Sequence, residues 1–175
     1  MLLLCKSTNN RPSQQIQQMK IELMAIGKTQ SRYLAEGIQQ YVDRIGHYVP
    51  FSLTILPDIK ATKALTEAQQ KEREGQVMLS AFQPGDAVVL LDERGREFTS
   101  REFAGFIDKK MSSGLKRLVF VIGGPYGFSD AVYARADGKV SLSRMTFSHE
   151  MVRLFFVEQI YRAMTILRGE PYHHD

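Results

Sequence analysis

The chain has 175 residues, 43% hydrophobic and 24% charged, which is the composition of one globular domain rather than of a disordered chain. No apolar stretch approaches the ~20 residues that a membrane-spanning helix needs, so a membrane protein is excluded. The formal net charge of +4 is compatible with a polyanionic partner such as RNA, although charge alone is weak support. The single cysteine, Cys5, excludes an intrachain disulfide framework and favours a reducing compartment.

The first 18 residues differ in character from everything that follows. They are polar, rich in glutamine and asparagine, and show no hydrophobic period. The apolar residues after Met1 have no basic region before them and no cleavage site after them, so no secretory signal is predicted. We therefore predict a flexible extension over residues 1–18 and a single domain over residues 19–175.

From Met19 onward, the hydrophobic pattern alternates between the periods of strands and helices. It predicts a strand over residues 20–26, a helix over about 31–46 and a second strand over 51–56. The segment from Asp58 to Ala64 has no period and is predicted to be a basic loop.

A capping box begins the next predicted helix. In Thr66-Glu67-Ala68-Gln69, a hydroxyl and an amide can satisfy each other's free backbone donors. We expect the helix to turn Val77, Met78 and Phe82 inward and to expose a charged face over residues 71–74.

Two segments that are apolar throughout follow, over residues 87–91 and 118–122, as in strands covered on both faces. Between them, Ser100 is predicted to cap a helix that ends at Gly114. A short helix, a short strand and a long helix complete the chain, over 129–136, 140–142 and 149–168. This alternation predicts an α/β fold, with a mostly parallel sheet covered by helices on both faces.

Three loops follow apolar strands, at residues 91–95, 123–127 and 143–148. Ligands in open α/β sheets bind beyond the carboxyl ends of the strands, although any one of these loops could be a mere connection. The second loop, Gly-Gly-Pro-Tyr-Gly, is the least ordinary because glycines flank Pro125 and leave a wall of bare backbone. It has neither the dinucleotide nor the phosphate-loop pattern, so it suits a neutral or zwitterionic ligand such as an adenine or amino-acid moiety.

The last helix and the tail hold further polar candidates. Ser148 can act as the N-cap of the helix, and His149 at its start is as compatible with a structural as with a catalytic role. The helix itself is apolar nearly all round, which suits a core, a subunit interface or both. The adjacent His173 and His174 do not form a metal site, because their side chains diverge and no ligand lies at suitable spacing, so no metal is expected.

Four segments, in order along the chain, together resemble the RlmH family of SPOUT-class methyltransferases: MKIELMAIGK, IGGPYGFSD, LSRMTFSHEMVR and EQIYRAMTILRGEPYHH. The resemblance extends from Met19 to about His174. It implies a carboxyl-terminal trefoil knot, a homodimer in the cytoplasm, and S-adenosylmethionine as methyl donor. It further implies methylation at N3 of a pseudouridine in the 23S rRNA of the assembled 70S ribosome.

The same resemblance implies the residues that bind the cofactor. The implied cofactor-binding residues lie in the three loops: Leu91, Gly124, Ser143, Arg144, Met145, Thr146, Phe147 and Ser148. As a hypothesis on the mechanism, Tyr172 and His173 in the tail are predicted to position the target base. The general base stays open: His149 or the tail histidine could assist, or the proton could leave to water through Tyr172. Candidate RNA contacts are Arg153, Arg162 and Arg168, with burial against a partner subunit an equal alternative for the first two.

Two positions depart from the family pattern. Ser148 stands where the family usually has a proline, and His174-Asp175 stand where the family tail commonly ends in a basic residue. The second departure weakens any phosphate or base contact by the end of the tail. Two alternatives stay open: a knotted methyltransferase with another RNA target such as tRNA, and a non-catalytic, ribosome-associated RNA-binding protein.

Overall fold

The computed structural model describes residues 18–59 and 65–174. Except for Gln18, the predicted extension lies outside the described residues, as do most of the predicted basic loop and Asp175. Among the described helices, none is long and apolar enough to cross a membrane.

Five described strands form one sheet in the order β2-β1-β4-β3-β5, and every neighbouring pair is parallel. The strands are β1 (Lys20–Ile26), β2 (Phe51–Leu56), β3 (Ala87–Glu97), β4 (Arg117–Ile122) and β5 (Gly138–Ser141). The central strand β4 is buried from Leu118 to Ile122, which explains why it is apolar throughout. The predicted parallel sheet is confirmed.

Helices cover both faces of the sheet. They are α1 (Arg32–Ile45), α2 (Glu67–Ala81), α3 (Ser100–Met111), α4 (Asp130–Arg135) and α5 (His149–Arg168). Helices α1 and α3 pack against α5 on one face, and α2 contacts α4 on the other. Alternate residues of β1 enter the two cores, with Leu23 on the α5 side and Met24 on the α2 side. The predicted two-sided helical cover is confirmed.

Helix caps follow the sequence signals closely. The Thr66 hydroxyl accepts a hydrogen bond from the Gln69 amide at 3.2 Å, and Gln69 Oε1 accepts one from the Thr66 amide at 3.0 Å. Ser148 caps α5 by accepting from the amide of Met151 at 3.3 Å. The predicted cap of α3 was wrong by one residue: Thr99 is the N-cap, because its side chain forms a capping box with Glu102.

Strand β3 is longer than the pattern predicts, because it continues beyond Leu91 to Glu97. Its pairing with β5 shifts in register, so that Leu91 and Arg96 both lie opposite Val140. This register shift requires a glycine at position 95, because a Cβ there would lie 2.5 Å from the carbonyl carbon of Val140. The trefoil knot itself stays a prediction.

Candidate active site

A cavity of 1180 Å³ opens at the carboxyl ends of β4 and β5, beside the middle of β3. It is lined by parts of the three segments predicted from sequence to be loops, 91–94, 123–127 and 143–147. The prediction of a loop at 91–95 was wrong, because this segment continues strand β3. Parallel strands bring their carboxyl ends to one edge, so segments distant in the chain meet there. This edge, called the loop edge below, is where a ligand would bind.

Most of the predicted cofactor-binding residues line this cavity. These are Leu91, Gly124, Ser143, Met145, Thr146 and Phe147, and the candidate base His149 lines it as well. Two predicted residues do not line it. The Arg144 side chain is directed to Glu97, with Nε 3.5 Å from Oε1, and the Ser148 hydroxyl is used in capping α5.

The second loop folds into a tight turn. The carbonyl of Gly124 accepts a hydrogen bond from the amide of Gly127 at 3.1 Å, with Pro125 and Tyr126 at the corners. Gly127 has φ +79°, a conformation that side-chain-bearing residues rarely adopt. Bare main chain at Gly123 and Gly124 therefore forms one wall of the cavity, as the glycine pattern suggested.

Asp92 is a site residue that the sequence analysis did not single out. It lines the cavity beside Leu91, accepts a hydrogen bond from the Tyr133 hydroxyl, and accepts another from the Arg94 amide at 2.8 Å. Burial acts to raise the pKa of Asp92, but these hydrogen bonds, together with the charges of Arg94 and Lys139, outweigh burial and lower it. Asp92 is therefore a fixed, ionised acceptor in the cavity wall. Its only signal in the sequence is its place directly after an apolar strand.

Two serine hydroxyls, one within the third loop and one at the end of β5, hold the backbone of the third loop in place. The Ser143 hydroxyl accepts from the Met145 amide at 2.9 Å, and Ser141 donates to the Ser143 carbonyl at 3.1 Å. Phe147 packs on Phe155 of α5 with ring centroids 5.0 Å apart. Met145 is left 77% exposed and Phe155 42% exposed, so an apolar surface borders the cavity at the start of α5.

The tail packs along the chain's own α5 and does not line the cavity. The Tyr172 hydroxyl donates to Glu158 Oε1 at 3.0 Å, and its ring lies 4.7 Å from that of Tyr161. His173 Nδ1 lies 3.3 Å from a guanidinium nitrogen of Arg162. Glu158 is nine residues beyond His149, or roughly 14 Å along a helix. Within one chain, the structure thus separates His149 from the tail candidates.

The environment of Tyr172 determines its protonation. Burial, followed by hydrogen bonds with Tyr41 and Glu158, raises its pKa well above the ordinary value. Tyr172 is therefore a neutral phenol at physiological pH and can donate a hydrogen bond, but it is not a base.

The three predicted arginine contacts differ in their surroundings. Arg153 is only 3% exposed and donates to the carbonyls of Ile26 at 2.6 Å and Gly27 at 2.8 Å, which ties α5 to the end of β1. A guanidinium enclosed in this way offers no surface to a phosphate, so the RNA-contact prediction for Arg153 is corrected. Arg162 is half-buried and paired with Glu158 at 2.5 Å, whereas Arg168 is exposed at the end of α5.

Within residues 18–59 and 65–174, no group of three or more histidine, cysteine, aspartate or glutamate side chains is placed to hold a metal ion. The polar lining of the cavity consists instead of backbone groups, hydroxyls, the imidazole of His149 and charged side chains of both signs, which include Asp92, Glu93, Arg94 and Lys139. Such a donor set suits an organic ligand with hydroxyl and ammonium groups.

Comparison with known proteins agrees with this kind of site. A family model described as a predicted SPOUT methyltransferase matches residues 19–173. The chain therefore belongs to the SPOUT methyltransferase family. Over 157 residues it is 61% identical to Ribosomal RNA large subunit methyltransferase H of Parabacteroides distasonis, a match that covers 90% of this chain and 100% of that protein.

A second relative of the same name, from Christiangramia forsetii, is 60% identical over 156 residues, which cover 89% of this chain and 99% of the relative. These relatives place the chain in the RlmH group of the family, so the resemblance found in the four sequence segments is confirmed. A probable methylase family protein from Haemophilus influenzae Rd KW20 aligns over 85% of this chain and 66% of its own, at 11% identity and a TM-score of 0.48.

Proposed function

We propose that this protein methylates 23S rRNA at N3 of a pseudouridine in the assembled 70S ribosome, in the cytoplasm, with S-adenosylmethionine as donor. The observation that carries the proposal is the cavity in which the middle of β3 and two separate loops of a SPOUT methyltransferase meet. The names of the relatives support large-subunit rRNA as the substrate. The target atom and the ribosomal context follow from the family resemblance.

The cavity lining fits the donor. The bare main chain of Gly123 and Gly124 allows a flat adenine to approach closely, and Leu91 and Leu142 supply apolar contacts. The Asp92 carboxylate is available to accept from a ribose hydroxyl or from the methionyl ammonium. When bound, S-adenosylmethionine supplies a methyl group on an already electrophilic carbon. The protein's part is to align the two reactants and exclude water.

Proton removal is the remaining chemical need, because N3 of pseudouridine carries an imide proton. His149 lines the cavity, and its imidazole is our preferred general base, with His173 as the alternative. Tyr172, a phenol of raised pKa, is assigned the role of positioning the target base through a hydrogen bond.

We also propose that the protein acts as a homodimer. The tail does not line its own chain's cavity, so tail residues that touch the target base must come from a second copy. The exposed Met145 and Phe155, with a small 190 Å³ cavity beside Phe147 and Phe155, form an apolar surface that a second copy would cover. Arg168 and Arg162 are the remaining candidate RNA contacts.

Mass spectrometry of rRNA tests the proposed target. In a deletion strain, 23S rRNA is expected to lack one methyl group on pseudouridine, and the purified full-length protein with S-adenosylmethionine should restore it on isolated 70S ribosomes. An unchanged 23S rRNA with a methyl group missing from tRNA would identify another SPOUT target. Ribosome binding without donor binding in calorimetry would identify a non-catalytic factor.

A further inference from the structure

Helix α2 presents a buried carboxylate to the second loop, residues 123–127, which is called the glycine loop below. The carboxylate approaches the loop from the side away from the cavity. Glu74 is 1% exposed, although the charged run 71–74 predicted it to face solvent. Its Oε1 accepts a hydrogen bond from Gln70 Nε2 at 2.9 Å. Its Oε2 is buried and has no hydrogen-bond partner within the described residues. A buried carboxylate oxygen without a partner costs free energy, so its retention calls for a physical reason.

The unpartnered oxygen is directed at Gly124. A Cβ built on Gly124 would lie 2.0 Å from Glu74 Oε2, so the hydrogen that glycine carries in that direction faces the oxygen. Adding a Cα–Cβ bond of about 1.5 Å puts Oε2 within about 3.5 Å of the Gly124 Cα, which is the range of a Cα–H···O contact. No side chain other than hydrogen fits between the two groups.

A second close approach lies beside the first. A Cβ on Gly75 would lie 2.2 Å from the hydroxyl oxygen of Ser129, which caps α4 directly after the loop. Glu74 and Gly75 therefore hold α2 against the loop at two adjacent points. Gly124 lines the cavity and Glu74 does not, so the carboxylate lies behind the wall that would face the donor.

We propose that Glu74 is a positioning residue for the donor site: its carboxylate, oriented by Gln70, sets the position of the Gly124 main chain against which S-adenosylmethionine binds. The inference rests on the proposed function, because it assumes that the donor occupies this cavity. It differs from a packing role because an apolar side chain would fill the space without presenting an acceptor to the loop.

Donor affinity in the full-length protein tests this role. We expect Glu74→Ala to weaken S-adenosylmethionine and S-adenosylhomocysteine binding by tenfold or more in calorimetry, with the KM for 70S ribosomes unchanged. Glu74→Gln, which keeps the volume, should fall between Glu74→Ala and the wild type. Glu72→Gln is the matched control on the exposed face of the same helix and should bind like the wild type.

The outcomes separate this inference from the proposed function. If the wild type does not bind the donor, the proposed function fails first. If the wild type binds and both Glu74 variants bind equally well, with only the melting temperature lowered, the side chain is structural and the positioning role is overturned. Should Glu74→Ala not fold, Glu74→Gln decides the question by the same criterion.

A double substitution tests the contact itself. Gly124→Ala should lose most donor affinity, because its methyl group would collide with Oε2. In a Glu74→Ala background that methyl group has room, so the double variant should bind within about threefold of Glu74→Ala alone. Losses that instead multiply in the double variant would show that the carboxylate and the loop act independently, which would contradict the proposal.

Discussion

The two ends of the parallel strands differ in the hydrogen bonding of their buried carboxylates. At the edge where β4 begins, Arg117 donates to Asp86 at 2.5 and 2.8 Å and to Glu22 at 3.0 Å, and Thr54 donates to the other oxygen of Glu22. Every carboxylate oxygen of Glu22 and Asp86 thus has a partner. At the loop edge, where β4 ends, Glu74 keeps one oxygen that has no partner in the part of the chain that the structure describes.

This difference matches what each edge has to do. A fully paired network rigidifies the place where strands start, because each group would be costly to leave alone. The loop edge combines bare backbone, an ionised Asp92 and an open cavity. These features suit the binding of a ligand and do not stabilise the fold. Changes at the first edge should therefore alter stability, and changes at the second should alter binding.

The largest expected effect is at the paired edge. Arg117→Met should lower the free energy of unfolding by about 3 kcal/mol, because it removes the guanidinium that pairs with both Glu22 and Asp86 and leaves Glu22 with only Lys20, at 3.3 Å. Urea denaturation measures the loss, and calorimetry should show an unchanged donor affinity at a temperature where the variant is folded. A large loss of donor affinity in the folded variant would mean that the two edges are not independent.

Next is Asp92→Ala at the loop edge. Removing an ionised acceptor should weaken S-adenosylmethionine binding roughly thirtyfold, since hydrogen bonds to charged groups contribute about 1.5–3 kcal/mol. Calorimetry on Asp92→Ala and on the wild type makes the comparison. Equal affinities of the two proteins would remove Asp92 from the donor site.

A smaller effect is expected from the tail. Tyr172→Phe should slow single-turnover methylation of 70S ribosomes about tenfold and leave donor affinity unchanged, because one neutral hydrogen bond to the target base is lost. His173→Ala provides the parallel measurement. If each variant alone leaves the single-turnover rate intact, the tail does not position the base.

The mildest effect is a pH dependence of stability. Burial acts to raise the pKa values of Glu22 and Asp86, but their hydrogen bonds and the nearby cations outweigh it and lower them below the ordinary 4.5 and 3.8. The unfolded chain therefore binds protons first as the pH falls, so the contribution of these groups, complete above about pH 5, is lost on further acidification. Urea titrations at pH 7, 5 and 4 should show this loss in the wild type and a weaker loss in Arg117→Met.

Local signals explain what was predictable. The bounds of β2 and α5 and the capping box at Thr66 were predicted because period and caps are written in neighbouring residues. The three cavity segments were predictable as a set, since each follows an apolar run, although 91–95 continues strand β3 and is not a loop. Asp92 was passed over, because its value as an acceptor depends on Tyr133, which lies 41 residues away.

Misplaced charges have a common cause. Arg153 was predicted to contact RNA or to be buried against a partner subunit, yet it binds the carbonyls of Ile26 and Gly27 of its own chain, more than 120 residues earlier. Glu74 was read as part of an exposed face, yet it lies against a glycine 50 positions later in the chain. In both cases the helix was predicted correctly, and in α2 the inward Met78 as well, but the burial of the charged side chain was not.

The amino-acid sequence alone determined the alternation of strands and helices, the glycine loop and the family, because these depend on local hydrophobic period, backbone freedom and short motifs. Tertiary structure decided which charged groups are buried and which face the cavity. The physical reason is that burial of a polar group depends on partners supplied by other segments, and the parallel sheet brings those segments together only when the whole chain has folded.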